Sequence, residues 1–167
     1  EKILANTYIS REAKSTDILS SKALWTEIDY LNVTTLNHRK TLDFTIDRTG
    51  PGHGFYVWFD AKIDAKANYS FAPDNPTTVY GSAFFPWMEV IELKKNDTVS
   101  IDLAVCLGAK GFDWTWNSHH SPSNPEQSAT SFQQSTFFDT GAISKDFVKK
   151  KSPQFTPGLT KNGTITL

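Results

Sequence analysis

A single cysteine, Cys106, rules out any disulfide within the 167-residue chain. It lies in a stretch of strict alternation, where a buried and unreactive thiol is the usual case. Such sparse cysteine fits a cytoplasmic protein and is met in secreted ones as well. Charge of one sign is equally scarce: 17 Lys and Arg face 18 Asp and Glu, for a net charge of −1. With no bulk positive field, nucleic acid and anionic membrane are not expected as partners. No apolar run approaches the ~20 residues that span a bilayer. No stretch has the charged, apolar and small-residue succession of a signal peptide. The chain opens on Glu1 rather than Met, so a processed or trimmed product with a region upstream is expected.

Motifs for self-sufficient chemistry are missing as well. Gly50, Gly52 and Gly54 sit in a Gly-Pro-Gly-His-Gly run, but no helix pattern follows it. A phosphate cradle needs backbone amides at a helix N-terminus, so residues 48–54 read as a turn cluster instead. His38, His53, His119 and His120 have no Cys or carboxylate at ligand spacing, and no metal site is assigned. On a strand His119 and His120 would point to opposite faces; they read as a solvated loop pair. Asp43 and Asp47 fall on the polar side of an alternating strand rather than forming a glycosidase pair. No nucleophile elbow occurs, and no catalytic residue is assigned.

Aromatic residues are what the chain has in abundance: 12 Phe, 5 Trp and 5 Tyr, or 13% of the total. They favour pleated, half-buried surfaces, which points to β structure. Residues 1–22 are polar and mixed, with apolar spacing too sparse for more than a short helix over 11–19. Residues 24–30 read as a strand. Over 41–47, Leu42, Phe44 and Ile46 share one face at the period of a half-buried strand. Residues 55–59 are apolar throughout, so both faces should be covered. A turn-rich segment at 71–76 leads through a corner at 77–81 into an aromatic strand. There Pro86, which cannot donate to a ladder, belongs at a strand end, a bulge or an edge. A hairpin turn at 94–97 precedes the clearest alternation, Val99, Ile101, Leu103 and Val105. After a turn at 108–111, Phe112, Trp114 and Trp116 share a face. Residues 117–129 form a polar loop, Phe132, Phe137 and Phe138 a further short strand, and Ser144 caps a short helix through Lys151. The expected fold is all-β, a barrel-like or sandwich domain of short, mainly antiparallel strands with one or two short helices. Its organisation is a connecting segment at 1–22, a β-barrel domain at 23–140 and a C-terminal extension at 141–167.

The central segment resembles the C-terminal barrel of protein arginine methyltransferases. Pro73, Pro76 and Thr78 match that family's Pro-x-x-Pro-x-Thr-His-Trp pattern, Tyr80 stands for its Trp, and Val79 replaces its His. The run from His53 to Asp60 is similar to the family's His-Ala-Leu-containing strand, and residues 90–99 to its Leu-x-Val-Lys-x-Gly-Glu hairpin. Closer still is a bacterial branch of methyltransferase-like proteins. It shares a Tyr-Gly-x-Ala-Phe-Phe-Pro corner (Tyr80 to Pro86), an aromatic-x-Trp strand (Trp114 to Trp116) and a Phe-x-Gln-Ser-Thr-Phe-Phe segment (Phe132 to Phe138).

The resemblance implies a barrel that follows a Rossmann domain binding S-adenosylmethionine, with the cofactor loop and catalytic glutamates upstream and no cofactor site in this chain. It implies a cleft wall in which Thr78, Tyr80 and, more weakly, His53 contact a protein or small-molecule methyl acceptor. Val79 has no polar group to do the work of the family's histidine, which leaves arginine as the acceptor unsupported. The family's helical dimerisation arm has only a short polar link in its place between Asp60 and Tyr69. The alternatives are a non-catalytic binding module for carbohydrate or protein, with Trp58, Trp87, Trp114 and Trp116 as a stacking platform, and a structural or assembly domain.

Overall fold

The computed structural model describes residues 6–63, 68–75, 81–109 and 111–137. Nine strands run through them: β1 (Ile9–Arg11), β2 (His38–Thr45), β3 (Gly50–Val57), β4 (Asp60–Lys62), β5 (Asn68–Ser70), β6 (Ser82–Leu93), β7 (Thr98–Gly108), β8 (Gly111–Ser121) and β9 (Thr130–Ser135). All pairings are antiparallel. One sheet has the order β1-β6-β3, a second β2-β7-β8-β9, and β4 pairs with β5 as a separate ribbon. The two larger sheets enclose one core and do not join into a closed barrel among the described residues, so the all-β domain is sandwich-like. The only helical element described is a 3₁₀ turn at Ser15–Asp17, within the expected helix at 11–19. The expected helix from Ser144 to Lys151 lies outside the described residues.

Alternation decides which side chains enter the core. Leu42, Phe44, Ile46, Val99, Ile101, Leu103 and Val105 are all buried, as their period of two requires. The register sets Trp116 opposite Leu103 and Trp114 opposite Val105, on the same inner face. Trp116 is 0% exposed, Trp114 is half-buried and Phe112, at the hairpin end, is 50% exposed. The shared face therefore runs from core to surface. From the other sheet, Phe85 meets Trp116 edge-on at 5.1 Å and stacks on Phe55 at 5.0 Å. Trp58 and Trp87 are buried as well, so of the four tryptophans considered for a sugar platform three are core residues. Cys106 alternates with the inward Val105 and is half-buried rather than buried. Burial, with Asp113 adding to it, pushes its thiol pKa up, which disfavours the thiolate.

Four local readings change. Residues 24–30 form no strand: Trp25 is anchored by donating its indole N–H to Leu103 O at 3.2 Å, while neighbouring Leu24, 48% exposed, makes a single bridge and accepts from Lys40 Nζ through its carbonyl at 2.7 Å. Asp29 then accepts the N–H of Leu31 at 2.9 Å and turns the chain away from extension. Residues 50–54 are not a turn but the first part of β3, paired with β6. A Cβ on Gly52 would stand 2.6 Å from Leu93 Cδ1, and one on Gly54 2.1 Å from Phe85 O, so glycine here permits close approach. The register with β6 slips between Gly52 and Gly54, and Pro86 pairs opposite Gly54 at the border of that bulge. Residues 117–121 continue β8, so the polar loop begins only at Pro122. Phe132 is buried in β9, but Phe137 lies beyond its end, 70% exposed. Between Asp60 and Tyr69 the polar link is flanked by the β4–β5 ribbon.

The glycine argument has a direct test in urea unfolding. Gly54→Ala should cost roughly 3 kcal/mol or more, because backbone rather than a flexible side chain blocks the new methyl. Gly111→Ala, at φ 132° with nothing within 4 Å, should cost only strain of roughly 1 kcal/mol. Equal losses at the two positions would show that φ alone matters.

Candidate functional site

A cavity of about 460 Å³ opens beside β3. Its floor comes from both sheets, with Phe44, Ile46, Val99 and Ile101 on one side and Phe55, Trp87 and Leu93 on the other. All of these are buried core residues, which makes the floor apolar. One wall is the segment 16–22, and backbone bonds hold it in place. Leu19 O accepts from Asp47 N at 2.8 Å and from Arg48 N at 3.3 Å, and Ser20 bridges to Ile46. Arg48 adds its guanidinium, donating to the carbonyls of Thr16 and Ile18. The mouth carries Arg11, Asp17, Lys22, Arg48 and His53, all exposed, with half-buried Tyr56 between them.

Of the residues expected at the site, the structure places His53 on this mouth. Thr78 and Tyr80 lie outside the described residues, but the flanks of their corner reach residues at or beside the cavity. Asp74 accepts the N–H of Ser15 through both carboxylate oxygens at 3.2 Å, next to the lining residues Thr16 and Asp17. On the other flank, Ser82 pairs across the ladder with Arg11, itself a lining residue. Arg11 lies over the Phe84 ring at 5.7 Å. Burial raises the Tyr56 hydroxyl pKa, with the Arg11 charge lowering it and the Asp17 charge raising it, so both charges are felt at the ring's polar end. Arg11, Asp17, Lys22 and Arg48 escaped the sequence reading: three sit in a segment without periodicity, and none belongs to a motif.

The second cluster missed from sequence joins Asp97, His120 and Ser123. The expected solvated histidine pair is replaced by two separate environments, because β8 runs through both residues and turns them to opposite faces. His119 is exposed and meets Ser131 Oγ at 2.7 Å on the outer face. His120 is buried, its Nε2 2.9 Å from Asp97 Oδ2. Asp97, 1% exposed, also accepts the N–H of Lys94 at 2.9 Å and the N–H and hydroxyl of Ser123 at 2.8 and 3.0 Å. Ser123 is thus bonded to the acid rather than to the imidazole, and its hydroxyl gains no base. The cluster is a buried staple between a hairpin turn and the loop after β8. No group of three or more His, Cys, Asp or Glu side chains among the described residues could hold a metal ion.

Burial opposes the charge on Asp97, but the N–H groups of Ser123 and Lys94, with His120 and the Ser123 hydroxyl, bring its pKa down to about 2. A carboxyl depressed from the ordinary 3.8 stabilises the fold above that value and loses the contribution as pH falls towards 2. Asp97→Asn should therefore cost roughly 2 kcal/mol at pH 7 and markedly less at pH 2.5. Denaturant titrations at the two pH values measure it, and a loss independent of pH would contradict the charge-based account.

The family model described as the arginine methyltransferase oligomerization subdomain matches residues 1–111, which contain β1 to β7 and end on the first residue of β8. No curated protein matches the chain. The matched span supplies every residue that lines the cavity. A match over more than half of the chain, on a β domain of the expected class, places this protein in the arginine methyltransferase oligomerization subdomain family.

Proposed function

We propose that this chain is the substrate-side β domain of an S-adenosylmethionine-dependent methyltransferase, working in the cytoplasm beside a Rossmann-type domain that lies upstream. The observation that supports it is the family match over 1–111, which spans all the strands around the cavity. In this reading the chain supplies a wall of the acceptor cleft and a surface for association with another polypeptide. Cofactor binding belongs to the upstream domain. The glycine-rich stretch Gly50–Gly54 is a paired strand, and its amides do not open a helix where the cofactor could sit. No step of methyl transfer is therefore assigned to residues of this chain.

Its residues act by positioning. Tyr80 offers a ring and a hydroxyl, Thr78 a second hydroxyl, and His53 stands on the cavity mouth that both flanks of the corner adjoin. Together they would orient a polar acceptor whose apolar part rests between the sheets. The burial of Trp58, Trp87 and Trp116 weakens the carbohydrate-platform alternative, which needs flat rings in solvent.

Two measurements test the reading. Calorimetry of the 167-residue chain with S-adenosylmethionine should give no saturable heat, and micromolar binding would place the cofactor site here after all. In the protein that joins this chain to its upstream domain, Tyr80→Phe should lower turnover about tenfold, the worth of one hydrogen bond, with Tm unchanged. If Tyr80→Phe and Tyr80→Ala reduce stability alone, Tyr80 packs the corner and has no role in the cleft.

A further inference from the structure

The cavity beside β3 is charged unevenly. Arg11, Lys22 and Arg48 line it as cations, and Asp17 is the one carboxylate among its described lining residues. The bonds of Arg48 go to the carbonyls of Thr16 and Ile18, which accept hydrogen bonds without cancelling a full positive charge. Arg11 is turned over the ring of Phe84. The ion pairs among the described residues lie elsewhere, Arg39 with Asp102 and His120 with Asp97. This local excess is invisible in a net charge of −1 for the whole chain. Behind the mouth the floor is apolar, and about 460 Å³ is the capacity of a small-molecule site. A guanidinium or ammonium entering here meets three like charges against the one carboxylate of Asp17, whereas an anion meets the reverse balance.

We propose that this cavity binds a small organic anion with an apolar body, its anionic group at Lys22 and Arg48 and its body on the floor between Phe44 and Trp87. The inference goes beyond the methyltransferase reading and does not rest on it: the anion bound here is not assigned as the methyl acceptor. Binding itself requires no transfer chemistry. Both cations contribute by position. Arg48 is fixed by its two carbonyl partners, and Lys22, on the exposed end of the same wall, is free to follow the ligand's head group.

Three ligands with one body and different heads supply the test: naphthalene-2-carboxylate, 2-naphthamide and naphthalen-2-ylmethylammonium. Binding to the 167-residue chain is read by tryptophan fluorescence, since Trp58 and Trp87 line the cavity, and by calorimetry. The carboxylate should bind at least about tenfold more tightly than the ammonium, with the amide between them. Lys22→Glu should cost the carboxylate about tenfold in affinity and leave the amide unchanged, a pattern that loss of structure does not produce. Arg48→Gln should do the same but can also loosen the 16–22 wall, so Lys22→Glu, with its exposed side chain, decides the matter. Equal affinity for all three heads, preference for the ammonium, or no saturable binding overturns the proposal. If that happens while the joined protein still transfers methyl groups, the acidic ligand is lost and the domain reading stands. Head-group selectivity without S-adenosylmethionine-dependent transfer in the joined protein supports the anion site and removes the domain reading.

Discussion

An indole N–H that leaves water is stabilised by finding an acceptor, and in this core three that do so fix where the sheets lie. Trp25 donates to Leu103 O, Trp87 to Ser118 Oγ at 2.9 Å, and Trp116 to Gln134 Oε1 at 3.1 Å. Two of these groups also join the sheets. Trp87 belongs to β6 and Ser118 to β8, while Gln134, on β9, passes its own amide N–H to Pro86 O at 3.0 Å. The spacing between the sheets is therefore set by hydrogen-bond lengths as well as by side-chain bulk. Such ties tolerate little adjustment, since a buried polar group left without its partner costs about 1–3 kcal/mol. Trp87 is where the constraint meets the site: its N–H is committed to Ser118, and its ring forms part of the cavity floor. Trp58 Nε1, also buried, has no hydrogen-bond partner among the described residues.

The same economy of contacts appears two residues along β8 from Ser118, at His120. Asp97 collects donors from its own turn, from β8 and from the following loop, while its backbone carbonyl accepts the N–H of Ile46 at 2.9 Å. With the carboxylate ionised, Nε2 of His120 must carry the proton it shares, and Nδ1 is left buried without a partner. One acidic residue thus holds the ends of two hairpins through its side chain and the exit of β2 through its backbone carbonyl. The arrangement resembles a catalytic set in composition and differs from one in connectivity.

Sequence patterns revealed the parts of this fold that depend on a residue's immediate neighbours. Leu42 to Ile46 and Val99 to Val105 could be placed because a period of two fixes a face whatever the partner strand. Gly50 to Gly54 could not, because glycine marks both turns and close approaches, and only the position of Phe85 and Leu93 distinguishes them. Likewise, His120 reads as polar until Asp97, 23 residues away, is brought to it by the β7–β8 register. Trp25 carries a strand-like context, yet its burial comes from long-range contacts, the bond to Leu103 O and packing against the rings of Trp114 and His38. His53, which lines the cavity, was singled out in the sequence through family likeness. Arg11, Lys22 and Arg48 were not, because backbone bonds between Leu19 and residues 47–48 assemble that wall, and backbone bonds leave no trace in composition.

The pairing of β1 sets an order on how the molecule can be made. Ile9 pairs with Phe84, and Asn6 accepts the backbone N–H of Ser135, 129 residues further on. A chain synthesised from its N-terminus releases β1 first and completes its surroundings last. At ribosomal speed the interval is on the order of ten seconds. The β7–β8 hairpin, by contrast, closes on itself as soon as it emerges. The first strand to appear is thus a late arrival in the native sheet, and the 16–22 wall attached to it can settle against Asp47 and Arg48 before that strand has anywhere to go.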